Sequence, residues 1–373
     1  MIYVDHAATT QLDPDALHAM EPFLLEDFGN ASQPYSFSRT ARHALQDARV
    51  QIAECIGASP DEIYFTSGGT ESDNWVIKGC PQKNANQSVI CTSQIEHHAI
   101  LNACRAVAQQ HAQVTYLPVD RQGILYPETL ASMITDDVDL VSVMLGNNEI
   151  GTIEPITELA SVAHAHGALF HTDAVQAVGH IPVQVHDLDV DFLSASAHKF
   201  NGPKGIGFLY VRNGIQLHPL LHGGAQERNQ RAGTENIPAI VGMAVALQNS
   251  IKTMTQTQEH LHAITDRLDQ RLHKSRLDYI CNGAQAHQLP GFVNLSIRHA
   301  DGEMLLHRLD LKGIAISTGS ACDANSTNLS HVIRAIETPD EYAKGTIRLT
   351  FGRENTLQDA DTIADALLDI LQV

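Results

Sequence analysis

Val190-Asp-Phe-Leu-Ser-Ala-Ser-Ala-His-Lys-Phe-Asn-Gly-Pro-Lys-Gly-Ile-Gly207 sets Lys199 between an apolar run and a glycine-punctuated turn. Residues 190–196 are apolar enough for a buried strand. Gly202, Pro203, Gly205 and Gly207 then stop any helix and let backbone approach closely. A lysine pinned in such a place is partly desolvated. It gives up its proton more readily than a surface lysine of pKa about 10.4, which is the condition for forming a Schiff base. Taken alone, the segment is more simply a solvated surface charge.

Upstream, Ala168-Leu-Phe-His-Thr-Asp-Ala-Val-Gln176 delivers Asp173 at the end of a second apolar strand, with Gln176 three residues on. A buried carboxylate needs a partner. The ring nitrogen of pyridoxal phosphate is one, and an Asp/Lys pair is what proteins repeatedly offer that cofactor. The competing reading makes Asp173 a helix cap before Ala174.

Around these two segments, strands and helices alternate. Short apolar runs at 62–66, 88–92, 140–145, 168–172, 192–195 and 205–211 read as strands, with helices from Thr70, over 98–111 and over 155–166. That rhythm predicts an α/β fold with a mostly parallel central sheet and helices on both faces. A long helix over 237–273 follows. Beyond it come strands at 292–297 and 346–351, a helix over 302–311, another over 331–336 and a closing helix from Thr356.

Composition narrows the class. The 373 residues can bury a large core, and a formal net charge of −19 argues against a nucleic-acid surface, which needs clustered Lys and Arg. No apolar stretch approaches the roughly 18 residues of a membrane span. Met1 leads straight into a motif-bearing segment, so a cytoplasmic location is expected. The six cysteines, at 55, 80, 91, 104, 281 and 322, show no C-x-x-C spacing, so neither a metal knuckle nor a disulfide framework is expected. All but Cys322 read as buried thiols.

The segments at 171–176 and 196–207 do not stand alone. Tyr3-Val-Asp-His-Ala-Ala-Thr-Thr10, Phe65-Thr-Ser-Gly-Gly-Thr-Glu-Ser-Asp-Asn74, Asn147-Asn-Glu-Ile-Gly151, His222-Gly-Gly-Ala-Gln-Glu-Arg228 and Ser317-Thr-Gly-Ser-Ala-Cys322 join them, in order, between residues 3 and 353. Together they resemble the NifS/IscS-type cysteine desulfurases of the class-V aminotransferases. The resemblance implies a fold-type I transferase that uses pyridoxal 5'-phosphate. It also implies a large cofactor-binding domain over 13–250 and a smaller α/β domain from 1–12 and 251–373.

Residue by residue, the resemblance implies that Gly69 and Thr70 hold the cofactor phosphate at a helix N-terminus, where free N–H groups and the helix dipole favour anions. Ser196 and His198 add further phosphate contacts, and Thr234 reaches the phosphate from the neighbouring subunit, which makes a homodimer functional. His97 stacks on the pyridine ring, Asp173 meets its nitrogen, Gln176 donates to its phenolic oxygen and Lys199 forms the Schiff base. Asn148 and Arg348 hold the substrate carboxylate. His98 receives no role, and no metal is expected.

Cys322 sets the reaction. It follows the turn-rich residues 317–321 and precedes polar, aperiodic residues, so it reads as a loop thiol reachable by partners. The span to Arg334 resembles the long-loop group. The implied chemistry converts L-cysteine to L-alanine. Lys199 moves the α-proton, and the Cys322 thiolate takes the substrate sulfur as a persulfide with help from His97 or another base. Sulfur then passes to an acceptor protein, for iron–sulfur assembly or tRNA thiolation. A selenocysteine lyase or another class-V pyridoxal-phosphate enzyme shares most of these residues. Two departures stand out: Ala31 and Gln33-Pro-Tyr35 replace a proline and a histidine common in relatives. Gly69 replaces an alanine, an exchange expected to be benign because the backbone N–H does the work.

Overall fold

A computed structural model describes residues 1–84, 87–318 and 329–372. In chain order the strands are β1 (Ile2–Tyr3), β2 (Ile63–Thr66), β3 (Val89–Ser93), β4 (Gln113–Leu117), β5 (Leu140–Ser142) and β6 (Leu169–Asp173). They continue with β7 (Phe192–Ser196), β8 (Gly207–Val211), β9 (Tyr279–Cys281), β10 (Phe292–Ile297), β11 (Ile314–Ala315) and β12 (Thr346–Thr350). Seven of them form one sheet in the order β2-β8-β7-β6-β5-β3-β4. Strands β4, β3, β5, β6 and β7 run parallel, and β8 and β2 close the sheet antiparallel. The mostly parallel sheet expected from the alternating rhythm is therefore present.

Four strands were not anticipated, the short β1, β9 and β11 outside this sheet and β4 within it. β4 is only partly buried, with Gln113 exposed and Leu117 alone fully covered. An edge strand of this kind carries no continuous apolar run.

Helices cover the sheet and feed its site. Gly69–Gly79 starts directly after β2, His98–Ala108 after β3 and Ile156–Ala165 after β5. The long helix Ile237–His273 has the bounds the sequence predicts, opened by the Asn236 cap on the Ala239 N–H and by Pro238 in its first turn. Its first half buries Ile240, Met243, Ala244 and Leu247 in the main core. Its second half buries Leu261, Ile264, Leu268 and Leu272 in a second core. That second core also holds Val4, Leu295, Ile347, Leu349 and Leu367.

The chain's first residues belong with its last. β1 pairs parallel with β11, and Asp5 bridges to Thr350 of β12. Residues 5–10 thereby run from the second core across the mouth of the large sheet, where the Thr10 N–H donates to the His198 carbonyl at 3.0 Å. Of the cysteines, Cys80, Cys91 and Cys104 are buried, whereas Cys55 and Cys281 are half-buried, a correction to the expectation of buried thiols. Cys322 lies outside the described residues.

Candidate active site

In an open α/β sheet, ligands settle at the carboxyl ends of the parallel strands, where loops diverge and backbone groups are free. Here β3 leads to His97, β5 to Asn148, β6 ends on Asp173 and β7 ends on Ser196 just before Lys199. These residues line one cavity of about 300 Å³ together with Gly69, Thr70, Gln176, His198 and Arg348. Ala7, Ala8, Asp73, Met144 and Val175 complete its wall. Of the expected cofactor and substrate residues, only Thr234 is elsewhere. It is exposed in the turn before the long helix, on the outside of its own chain.

One end of the cavity is built for an anion. The helix Gly69–Gly79 points its first N–H groups into it, preceded by Gly68 at φ 148°, a backbone state that side chains disfavour. A Cβ on Gly207 would stand 2.7 Å from the Gly68 Cα and 2.4 Å from the Ala195 carbonyl oxygen. The glycine closing the Lys199 segment thus lets β8 press the loop against the end of β7. Gly69 is tight in another way: a Cβ there would lie 2.6 Å from Val175 Cγ2. Alanine at this position is therefore not a free exchange in this chain, contrary to the expectation from the backbone N–H alone. Arg231 anchors the same helix turn through Glu71, at 2.8 and 3.0 Å.

The middle of the cavity holds the titratable groups. The Lys199 Nζ donates to the carbonyl oxygens of Ala7 and Ala8, the latter at 3.0 Å, while Gln176 Nε2 donates to Ala7 at 3.0 Å. The lysine backbone is held from below, since His180 Nε2 donates to the Lys199 carbonyl at 2.8 Å. Asp173 accepts from the Val175 N–H at 2.9 Å. Burial pushes its carboxyl up, offset by that N–H and by the Lys199 charge.

His97 caps its helix, its Nδ1 accepting from the Ala99 N–H at 3.1 Å. Burial pushes it down to about 4, helped by the charges of Lys199, His98 and His331. The ring is therefore neutral with its proton on Nε2, which makes it a hydrogen-bond donor toward the cavity. His198 is likewise pushed down to about 4, by burial and then by Lys199 and Lys204, and its Nδ1 lies 3.2 Å from the Thr9 hydroxyl.

The far end is cationic. Arg348 on β12 donates to the Asn148 carbonyl and to Asp5 Oδ1, both at 2.7 Å, while its buried Nε has no hydrogen-bond partner among the described residues. Asp5 was not singled out from the sequence. It lies 343 positions from Arg348, and only the meeting of the two chain ends reveals the pair.

An anion cradle, a flat imidazole wall, a buried carboxyl with no cationic partner in hydrogen-bond reach among the described residues, and an amine on one side fit the phosphate, ring, ring nitrogen and aldehyde of pyridoxal phosphate. The orphaned Arg348 Nε fits a carboxylate that arrives with the substrate.

The class-V aminotransferase family model matches residues 2–363. The cysteine desulfurase IscS of Dictyoglomus turgidum is 47% identical over 100% of this chain and 94% of its own length. That of Methanosarcina thermophila is 46% identical over 100% of this chain and 92% of its own. A solved NifS-like protein matches with a TM-score of 0.93 at 34% identity, covering 100% of this chain and 99% of that one. With the motifs, the fold and the cavity all in agreement, the chain belongs to the pyridoxal-phosphate-dependent class-V aminotransferase family and, within it, to the cysteine desulfurases.

Proposed function

We propose that this protein converts L-cysteine to L-alanine and carries the sulfur away as a persulfide on Cys322. The observation that carries the reading is the gathering of Lys199, Asp173, His97, Gln176, Asn148 and Arg348 around one cavity. Gly69, Thr70, Ser196 and His198 would hold the phosphate of pyridoxal phosphate, His97 would cover its ring and Asp173 would meet its nitrogen. When bound, pyridoxal phosphate supplies the electron sink that makes the substrate α-proton acidic.

The chain's own groups do the rest. Arg348 binds the substrate carboxylate through donors that Asp5 and the Asn148 carbonyl hold in place, which fixes the α-carbon relative to the lysine. Lys199, presented by the Ala7 and Ala8 carbonyls, moves the α-proton. His97, neutral with Nδ1 held by the Ala99 N–H, offers its Nε2–H as a hydrogen-bond donor in the cavity. The Cys322 thiolate forms an S–S bond to the substrate sulfur as the C–S bond breaks, and the carbon fragment gains a proton to leave as alanine. Cysteine and a thiol thus give alanine and a persulfide with no external oxidant or reductant.

An unperturbed thiol of pKa about 8.5 is only a few per cent ionised at neutral pH, so a base has to assist Cys322. In this reading Thr234 completes the phosphate site of a partner subunit in a homodimer. The chain divides into a large domain at 13–250 and a small one at 1–12 with 251–373, and the protein works in the cytoplasm. The net charge of −19 favours delivery to an acceptor protein over direct contact with nucleic acid, whether the sulfur serves iron–sulfur assembly or tRNA thiolation.

Replacing Cys322 by alanine tests the reading. The variant should keep its cofactor absorption but lose the protein-bound persulfide and alanine release. Full alanine production with a persulfide still on the protein would overturn it.

A further inference from the structure

Asp73 lies on the second turn of the helix Gly69–Gly79, 1% exposed, yet it lines the cavity. Its Oδ1 has no hydrogen-bond partner among the described residues. The basic group beside it is His171, whose Nε2 is 3.8 Å from that oxygen, too far for a hydrogen bond. Both His171 ring nitrogens are already engaged, Nδ1 with the Ser142 hydroxyl at 2.9 Å and Nε2 with the Ser194 hydroxyl at 3.0 Å. Burial drives His171 down to about 3, so it carries no charge to offer Asp73.

A carboxyl oxygen of Asp73 and one of Asp173 lie within 4.8 Å of each other, and of a His97 ring nitrogen. Two ionised carboxylates that close and that dry repel strongly. Lys199 offsets the charge on Asp173. The groups that face Asp73 are Asp173 and His171 from β6, Ser194 from β7, and Glu96 and the neutral His97 after β3. The two acids both disfavour its ionisation, as does burial, which is the largest cause, while Ser194 opposes them.

We propose that Asp73 is a positioning residue of this site: a neutral carboxylic acid packed beside Asp173, so that the cofactor ring meets one negative charge there and not two. The inference rests on the pyridoxal-phosphate reading of the cavity. Asp173 alone then sets how firmly the ring nitrogen holds its proton. Ionisation of Asp73, which its surroundings push to higher pH, adds a second charge and tightens that hold.

Infrared spectroscopy of cofactor-free protein labelled with ¹³C-aspartate tests the protonation state directly. At pH 7 the wild type should show a carboxylic-acid C=O band that moves with the label and vanishes in Asp73→Asn. The buried acids Glu96 and Glu154, both pushed up to about 8, also give C=O bands, but an aspartate label leaves those in place.

In the cofactor-loaded protein, the visible absorption of the wild type should show a second step at higher pH that Asp73→Asn lacks, while the midpoint of the first moves by less than about 0.3 pH unit, about twofold in proton affinity. Absence of a label-shifted band, its survival in Asp73→Asn, or a midpoint shift of a full unit, about tenfold in proton affinity, would overturn the proposal. If Asp73→Asn does not accumulate, Asp73→Ser takes its place: the label-shifted band should vanish there too, and its survival would assign the band to Asp173, whose carboxyl burial also pushes up, and overturn the proposal. A failure of the cofactor reading looks different: the wild type would then show no visible absorption at all, while the infrared result on cofactor-free protein would stand.

Discussion

The two ends of the cavity are made in different ways. At the cofactor end, His97, Asp173, Ser196 and Lys199 each sit within a few residues of the carboxyl end of a strand in one sheet. At the substrate end, Arg348 comes from β12 of the second core and is held by Asp5, on the chain's first turn after β1. The first end is a product of local strand-and-turn geometry. The second exists only once residues at opposite ends of the chain have met. The contrast implies that cofactor chemistry and substrate grip can be broken separately.

The largest effect is expected at the cofactor end. Lys199→Ala removes the amine that would bond the cofactor and move the α-proton. It should abolish the visible absorption and lower alanine formation by at least the roughly 10²–10⁴-fold that a general acid–base contributes. An absorption spectrum unchanged from wild type would break the assignment. At the substrate end, Arg348→Ala should leave that absorption intact and raise the KM for cysteine about 10- to 100-fold, the range for a hydrogen bond to a charged group. Asp5→Asn should act in the same direction but less, because the Asn148 carbonyl still holds the guanidinium. Steady-state kinetics and spectra on the same preparations check all three. A loss of absorption in Arg348→Ala would show that the two ends are not separable.

The same contrast explains what could be read from the sequence. Strands β2, β3 and β5 to β8, the helix Ile237–His273 and the Lys199 and Asp173 segments are legible because short apolar runs, glycines and a capped helix start write them locally. Asp73 was not, although it stands in a quoted motif. In a helical stretch, Glu71-Ser-Asp-Asn74 looks like an ordinary polar face, and only packing against β6 and β7 buries the third of these residues. Asp5 escaped because its partner is 343 positions away. His171 and His180 escaped for a related reason, since in a chain with 21 histidines a lone ring carries no signal until its hydroxyl or carbonyl partner is known. For Cys322 and its flanking residues the sequence remains the sole guide.

A smaller effect separates burial from catalysis. Glu96, next to His97, is fully buried; its Oε1 accepts from the Ser93 hydroxyl at 2.5 Å and the Met144 N–H at 3.0 Å, while Oε2 has no hydrogen-bond partner among the described residues. Burial pushes it from an ordinary 4.5 up to about 8. Between those values the folded chain holds a proton that the unfolded chain has released. The associated stability is full below about pH 4.5 and is lost as pH rises through 8, at up to about 1.4 kcal/mol per pH unit. Glu96→Gln should flatten the decline of thermal midpoint between pH 5 and 8. An undiminished slope would place the titration elsewhere, Glu154 being the next candidate at about 8.

The smallest expected effect probes the anion cradle itself. If backbone N–H groups alone bind the phosphate, Gly69→Ala should change nothing, since alanine keeps its N–H. In this chain the added Cβ meets Val175 Cγ2 at 2.6 Å, and a β-branched side chain has few rotamers into which to retreat. Overpacking of this kind costs about 1–3 kcal/mol in a closed core. Val175 is only half-buried, so the lower part of that range applies, seen as a few-fold faster loss of cofactor and a thermal midpoint lowered by a few degrees. Val175→Ala in the same chain should restore both, because the clash and its relief involve the same two atoms and must couple in a double-mutant cycle. Were Gly69→Ala silent, or unrescued by Val175→Ala, the cradle would be set by its hydrogen bonds alone. The cofactor end would then be less tightly packed than its burial suggests.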